Sequence, residues 1–228
     1  MDTLWRYAGP MWLAALVLAL GDWLAVGYRH RRLEYLLKPA TLVAILAGAG
    51  LLLRGPHDPW QATFFLAGLA CSLAGDVFLM LPGERFFRPG LGAFLLAHLC
   101  YVAGLNRTPP LWPTWAMLGA PAVLGIVLYR RIAAGLRRQG KGALLVPVAV
   151  YSLVLSLMLF SAWSTLLRPE WSALRKGLVV AGGSLFYASD AMLAWDRFVS
   201  PIPGGRVPIM VTYHLAQAAL AASIALTG

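Results

Sequence analysis

Residues 60–81 read WQATFFLAGLACSLAGDVFLML, an apolar run in which Asp76 is the one charged side chain. About 20 such residues, rising 1.5 Å each, cross the ~30 Å hydrocarbon core of a bilayer as a single helix. Working outward, seven further segments obey the same rule: 5–27, 35–53, 90–106, 112–129, 142–166, 174–195 and 206–226. The breaks between them include RGPHDP, LPGERFFRPG, NRTPPLWP and SPIPGGR, whose Pro, Gly and Arg suit tight turns between helices. The 228 residues are 60% hydrophobic and 12% charged, with a mean hydropathy of +0.70, more than a water-soluble domain covers with polar surface. The expected fold is all-α: a polytopic membrane bundle of eight transmembrane helices, forming one domain over 1–228. The opening MDTLWRYAGPMWL has neither a basic leader nor a small-residue cleavage site, so the first helix is expected to be retained.

Charge sets an expected orientation. Thirteen of the 19 Lys and Arg fall in or beside the loops after helices one, three, five and seven, among them Arg29, Arg31, Arg32, Lys38, Arg130, Arg131, Arg197 and Arg206. Arg6, Arg54, Arg107, Arg168, Arg175 and Lys176 make up the other side. The positive-inside tendency then puts the first set in the cytoplasm and both termini outside. Composition suits the inner (plasma) membrane of a bacterium. A net charge of +10 is explained by a basic rim beside anionic headgroups, and calls for no nucleic acid. Cys71 and Cys100 lack CxxC spacing and read as small packing residues.

Asp76 and Asp190 are 114 residues apart, half the chain length. At that offset Gly68 falls on Gly182, Gly75 on Ser189 and Leu79 on Leu193. A two-residue slip then brings Tyr101 onto Gln217 and His98 close to His214, and Pro39 matches Pro147 with a gap. Two four-helix repeats are expected, over about 1–111 and 112–228. An even number of helices separates the copies, so they would run parallel, related by an axis along the membrane normal.

By helix rise, Asp76 and Asp190 sit about 8 Å inside the cytoplasmic ends of their segments, and His98 and His214 about 12–14 Å. Gly68, Ser72, Gly75 and Asp76 follow a helical spacing that puts the acid on a small-residue face, pointing into the bundle. An intramembrane carboxyl is expensive and is by default functional, although a lone one can simply bond a neighbouring helix. Two carboxyls in a water-poor pocket do not both ionise easily, so one is expected to keep a proton beside its ionised partner. That pairing offers an acid and a base in one site. Asp22 either joins this layer or pairs with Arg29, Arg31 and Arg32. Lys38, opening helix two, is either a snorkelling anchor or a point charge for a phosphate. Tyr101, Tyr187, Tyr213 and Gln217 lie within about a turn of these groups and offer hydrogen bonds to water or substrate. No Walker loop, HExxH or GxSxG is present, and two Asp with two His match no zinc-binding spacing, so no metal site is expected.

SLAGDVFLMLPGERFFRPGLGAFLLAHLCYV (72–102), GGSLFYASDAMLAWDRF (182–198) and MVTYHLAQ (210–217), preceded by Lys38-Pro39, together resemble the YhhN family of membrane proteins, which includes the lysoplasmalogenases. The resemblance implies hydrolysis of the vinyl ether bond of lysoplasmalogen, giving a fatty aldehyde and a glycerophospho-ethanolamine or -choline. It carries catalytic roles onto Asp76 and Asp190. His98 and Tyr101 match an HxxY-like stretch, and Tyr213 and Gln217 a YxxxQ-like one. His98 is expected to relay protons, while Lys38, Tyr101, Tyr187, Tyr213, His214 and Gln217 contact a lysophospholipid among membrane lipids. Such chemistry needs no cofactor. The main alternative is a proton-coupled transporter using the same Asp/His layer. An intramembrane aspartyl protease and a purely structural bundle stand behind it.

Overall fold

A computed structural model describes residues 2–226, with side chains described from Ala8 onward. Residues 1, 227 and 228 of the expected domain, and the side chain of Arg6, lie outside it. Eight long helices are present among the described residues: α1 Asp2–Gly27, α2 Arg31–Leu52, α3 Pro59–Met80, α4 Phe87–Leu105, α5 Gly119–Arg138, α6 Leu145–Ser164, α7 Ala173–Phe198 and α8 Arg206–Ala222. Each is long and apolar enough to cross a bilayer, and the protein is a multi-pass integral membrane protein. Leu13, Leu24, Val123, Ile126 and Leu153 point outward, as a lipid-facing surface requires.

The helix boundaries follow local chemistry. Asp58 caps α3, its carboxylate accepting from the Trp60 N–H at 2.9 Å, with Pro59 at the first helical position. Ser172 caps α7 through the Arg175 N–H. The loops after α1, α3, α5 and α7 each contain one residue at positive φ: Arg29 at 58°, Gly83 at 107°, Gly140 at 68° and Gly204 at 67°. These loops meet at one end of the bundle. There Glu84 bridges Lys141 at 3.2 Å and Arg197 at 3.4 Å, and Arg206 pairs with Glu34 at 2.5 Å. At the opposite end, Arg175 donates to Gln61 at 2.6 Å and lies over the Trp171 ring, with Arg168 also within cation–π reach of that ring.

Helices five and two differ most from the sequence expectation. Helix five was expected over 112–129; instead residues 112–118 form 3₁₀ turns and α5 runs to Arg138. Arg130, Arg131, Arg137 and Arg138 are good helix formers that carry the helix past the apolar stretch, so a fall in hydropathy does not mark its end. Helix two was expected from residue 35 and starts at Arg31. Lys38 is therefore about two turns inside it rather than at its opening, and Pro39 lies within the helix, leaving the Tyr35 carbonyl without its usual donor.

Close helix approach rests on glycine. A Cβ on Gly68 would lie 2.9 Å from the Tyr101 ring, one on Gly75 2.6 Å from Phe94, and one on Gly182 2.8 Å from Leu220. The tightest backbone approach is at Gly135, where a Cβ would fall 1.8 Å from the Phe198 carbonyl oxygen. Gly135→Ala should therefore push α5 off the end of α7, costing about 1–3 kcal/mol and lowering the Tm of the detergent-solubilised protein. Gly92→Ala, where an added Cβ meets nothing within 4 Å, should leave Tm in place.

Candidate active site

A cavity of about 230 Å³ opens at the basic end of the bundle and descends between α2, α3, α7 and α8. Arg31, Asp196, Arg197 and Arg206 line its mouth, and Lys38, Asp76, Asp190 and Tyr213 its depth. Both acids are buried, Asp76 completely and Asp190 at 9% exposure. Their helices place them there: on α3 the face carrying Gly68, Ser72, Gly75 and Asp76 is the buried one, as the spacing predicts.

The two acids have different partners. Asp76 is ion-paired with Lys38, Nζ to Oδ1 at 2.8 Å, and accepts from the Tyr213 hydroxyl at 2.7 Å. The same ammonium stands 5.5 Å from the centre of the Tyr213 ring. Asp190 accepts a short hydrogen bond from the Tyr151 hydroxyl through Oδ2, and His98 Nε2 lies 3.4 Å from that oxygen. His98 Nδ1 is 2.6 Å from the Phe94 carbonyl oxygen. A carbonyl only accepts, so Nδ1 carries a proton and Nε2 is the nitrogen turned to the acid. Phe186, fully buried, fills the space between the two stations, with its ring 4.6 Å from His98 and 5.6 Å from Tyr213.

The expected site residues separate into layers. Lys38, Asp76, Asp190 and Tyr213 line the cavity, and His98 braces Asp190 without lining it. Tyr101 donates to Gln217 Oε1 at 2.6 Å in the fully buried interior, so both lie off the cavity wall. His214 is turned toward α1, its Nδ1 accepting from the Trp23 indole N–H at 3.1 Å. Tyr187 packs with Leu155 and Leu159 on the α6 side. None of these four reaches the space a cavity-bound molecule would occupy.

One expectation is revised and one open choice is decided. Lys38 is neither a rim anchor nor a free point charge: its side chain is buried, at 9% exposure, and its ammonium is paired with Asp76. No hydrogen bond joins Asp76 to Asp190 among the described residues, and each carboxyl is held by its own partners. The two-acid picture lacked the counter-charge that Lys38 supplies to Asp76. Asp22 is fully buried with neither oxygen hydrogen-bonded, and it does not pair with Arg29, Arg31 or Arg32. It lies within electrostatic reach of Lys38, Glu34, Asp76 and Arg206, which is the other of its two expected placements.

Tyr151 and Phe186 were missed. At the 114-residue offset between the acids Lys38 falls on Ser152, one residue past Tyr151, so superposing the halves with a one-residue slip would have singled it out. Phe186 carries no such signal, because an aromatic on a buried helix face reads as packing.

The sequence profile of the YhhN family matches residues 33–224. The chain is 28% identical to human lysoplasmalogenase TMEM86B over 212 residues, 90% of this chain and 83% of that protein. It is 37% identical to the mouse protein of the same name over 69% of this chain and 62% of the relative, and 32% identical to a lysoplasmalogenase of Mycobacterium bovis over 82% and 69%. No solved structure matches. With Asp76, Asp190, His98 and the YHLAQ stretch of α8 all inside the matched residues, the chain belongs to the YhhN family.

Proposed function

We propose that the protein is a membrane-embedded hydrolase that cleaves the vinyl ether bond of a lysoplasmalogen, releasing a fatty aldehyde and a glycerophospho head group. The observation that carries this reading is the unequal pairing of two acids in one cavity. Lys38 gives Asp76 a cationic partner, whereas Asp190 has only a tyrosine hydroxyl and a histidine. One ammonium among two carboxyls leaves the group neutral when one acid keeps its proton, and burial favours that neutral count. Asp190, facing His98 Nε2, is the acid that holds it. The names of the relatives, human and mycobacterial lysoplasmalogenases, support the same reading.

The reaction then proceeds from these groups. Asp190 gives its proton to the β-carbon of the vinyl ether, and the electron pair of the double bond forms the new C–H bond. The resulting oxocarbenium ion sits beside the Asp76 carboxylate. Water adds to its carbon, losing a proton to Asp76, and gives a hemiacetal. That intermediate collapses to the aldehyde as the glycerol oxygen leaves with the proton held on Asp76, while the hemiacetal hydroxyl gives its own proton to the Asp190 carboxylate by way of His98 Nε2, so that both acids return to their starting states. Tyr213 and Tyr151 hold the two carboxyls in place. General acid–base contributions of this kind amount to about 10²–10⁴ in rate each.

The head group would lie among Arg31, Arg197 and Arg206 at the cavity mouth, with membrane lipids surrounding the bundle. The basic end is cytoplasmic in this reading, both termini are extracytoplasmic, and the membrane is a bacterial inner membrane. The test is to supply lysoplasmalogen to the purified protein in detergent and in proteoliposomes. Stoichiometric aldehyde release in both is expected. Proton-coupled uptake into proteoliposomes without aldehyde would overturn the reading in favour of a transporter.

A further inference from the structure

Behind the polar cavity lies a second, narrower one of about 60 Å³. Leu79, Phe87, Phe94, Asp190, Leu193 and Arg197 border both. From Asp190 the second cavity runs between α4 and α5, with Leu91 on one side and Leu128 and Ile132 on the other. α4 packs chiefly on α3 and α6, and α5 on α6 and α7, and the two make no extensive contact with each other. Leu91 and Leu128 are half-buried, as side chains at an opening toward lipid would be.

We propose that this slot is a lateral portal for the hydrocarbon chain of a single-chain lipid, which enters from the bilayer between α4 and α5 and reaches Asp190 with its first carbons. The inference rests on the proposed function and adds to it the route and the selection. A lysoplasmalogen has its charged head on one side of the vinyl ether and its alkyl chain on the other. The structure offers a charged chamber and an apolar slot on the two sides of Asp190, the one carboxyl that borders both. At about 60 Å³ against about 230 Å³ for the charged chamber, the slot has room for only a short run of methylenes. It therefore admits the first methylenes of one chain and excludes a second chain lying beside it. Lipids with two chains are rejected at the portal rather than at the reacting bond.

The test is photo-crosslinking with a saturated alkyl-ether lysophospholipid bearing a diazirine on the third to fifth chain carbon. This probe has no vinyl ether, so labelling does not depend on turnover. Adducts are expected on Leu91, Leu128 and their neighbours on α4 and α5. Labelling should fall at least tenfold in Leu128→Trp, which fills the slot, and stay at the wild-type level in Leu124→Trp, one turn away on the outward face. A two-chain ether phospholipid should compete at least tenfold less well than its one-chain counterpart. Adducts confined to α1, α2 or α8, or spread over the outer surface, would overturn the portal, and equal competition would overturn the single-chain selection. Slot adducts in a preparation that releases no aldehyde from lysoplasmalogen would keep the portal and remove the hydrolysis. Aldehyde release with adducts elsewhere would do the reverse.

Discussion

Asp190→Asn is expected to lower aldehyde release by about 10²–10⁴ while leaving the protein folded. Asparagine keeps the size of the side chain and still accepts from the Tyr151 hydroxyl, but it has no acidic proton to give. Asp76→Asn should cause a comparable loss for a different reason: the amide neither compensates the oxocarbenium charge nor takes a proton from water. The two can be told apart by substrate binding. Asp190→Asn should bind a saturated ether lysophospholipid as the wild type does, because no charge has changed. Asp76→Asn leaves the Lys38 ammonium without its partner in the cavity and should alter that binding. Activity of both variants within threefold of wild type would remove both acids from the chemistry.

The second large effect is expected at Lys38. In Lys38→Met the buried Asp76 loses its ion-pair partner, and breaking such a pair from one side costs roughly 3–5 kcal/mol. Thermal unfolding in detergent should shift accordingly, and activity should fall by at least 10². The double variant Lys38→Met with Asp76→Asn removes the charge along with its partner. It should recover most of the stability and none of the activity. Recovery of neither would mean that Lys38 has a packing role independent of Asp76. Recovery of activity would mean that Asp76 is dispensable.

Much of the architecture is legible in the chain because a membrane span must satisfy its own backbone and be apolar over a fixed length. Eight spans were expected and eight are found among the described residues. The errors sit where those constraints stop acting. α5 extends about two turns beyond its apolar stretch, because arginines tolerate helix in the headgroup region. α2 begins earlier for the same reason, and that error carried Lys38 from the interior to the rim. Its partnership with Asp76 depends on how α2 and α3 pack, which hydropathy does not encode.

The acids and His98 were legible because an ionisable group inside an apolar segment is costly wherever it sits. How they pair was not, because Tyr213 reaches Asp76 across 137 residues and His98 reaches Asp190 from the other half of the chain. We propose that the two halves are parallel copies. Gly68 and Gly182 both admit a close neighbouring helix, and each acid accepts from a tyrosine hydroxyl. Lys38 and Tyr151 stand at nearly matched positions in α2 and α6, each beside its own half's acid. The earlier match of Pro39 to Pro147 inserted a gap that hid this. Tyr101 and Gln217, aligned across the halves, bond to each other where the halves meet. On this view the copies diverged at one decisive position, lysine in the first and tyrosine in the second, and that difference separates a base from an acid.

The most direct measurement uses lysoplasmalogen hydrolysed in D₂O enriched in oxygen-18, with the aldehyde trapped at once by borohydride. Proton transfer from a fixed carboxyl to the β-carbon should place deuterium on the second carbon of the product in a single configuration. Water attack on the oxocarbenium ion should place oxygen-18 on the first carbon. Deuterium in both configurations, or oxygen-18 on the glycerol with none on the aldehyde carbon, would contradict an enzyme-held acid that protonates carbon.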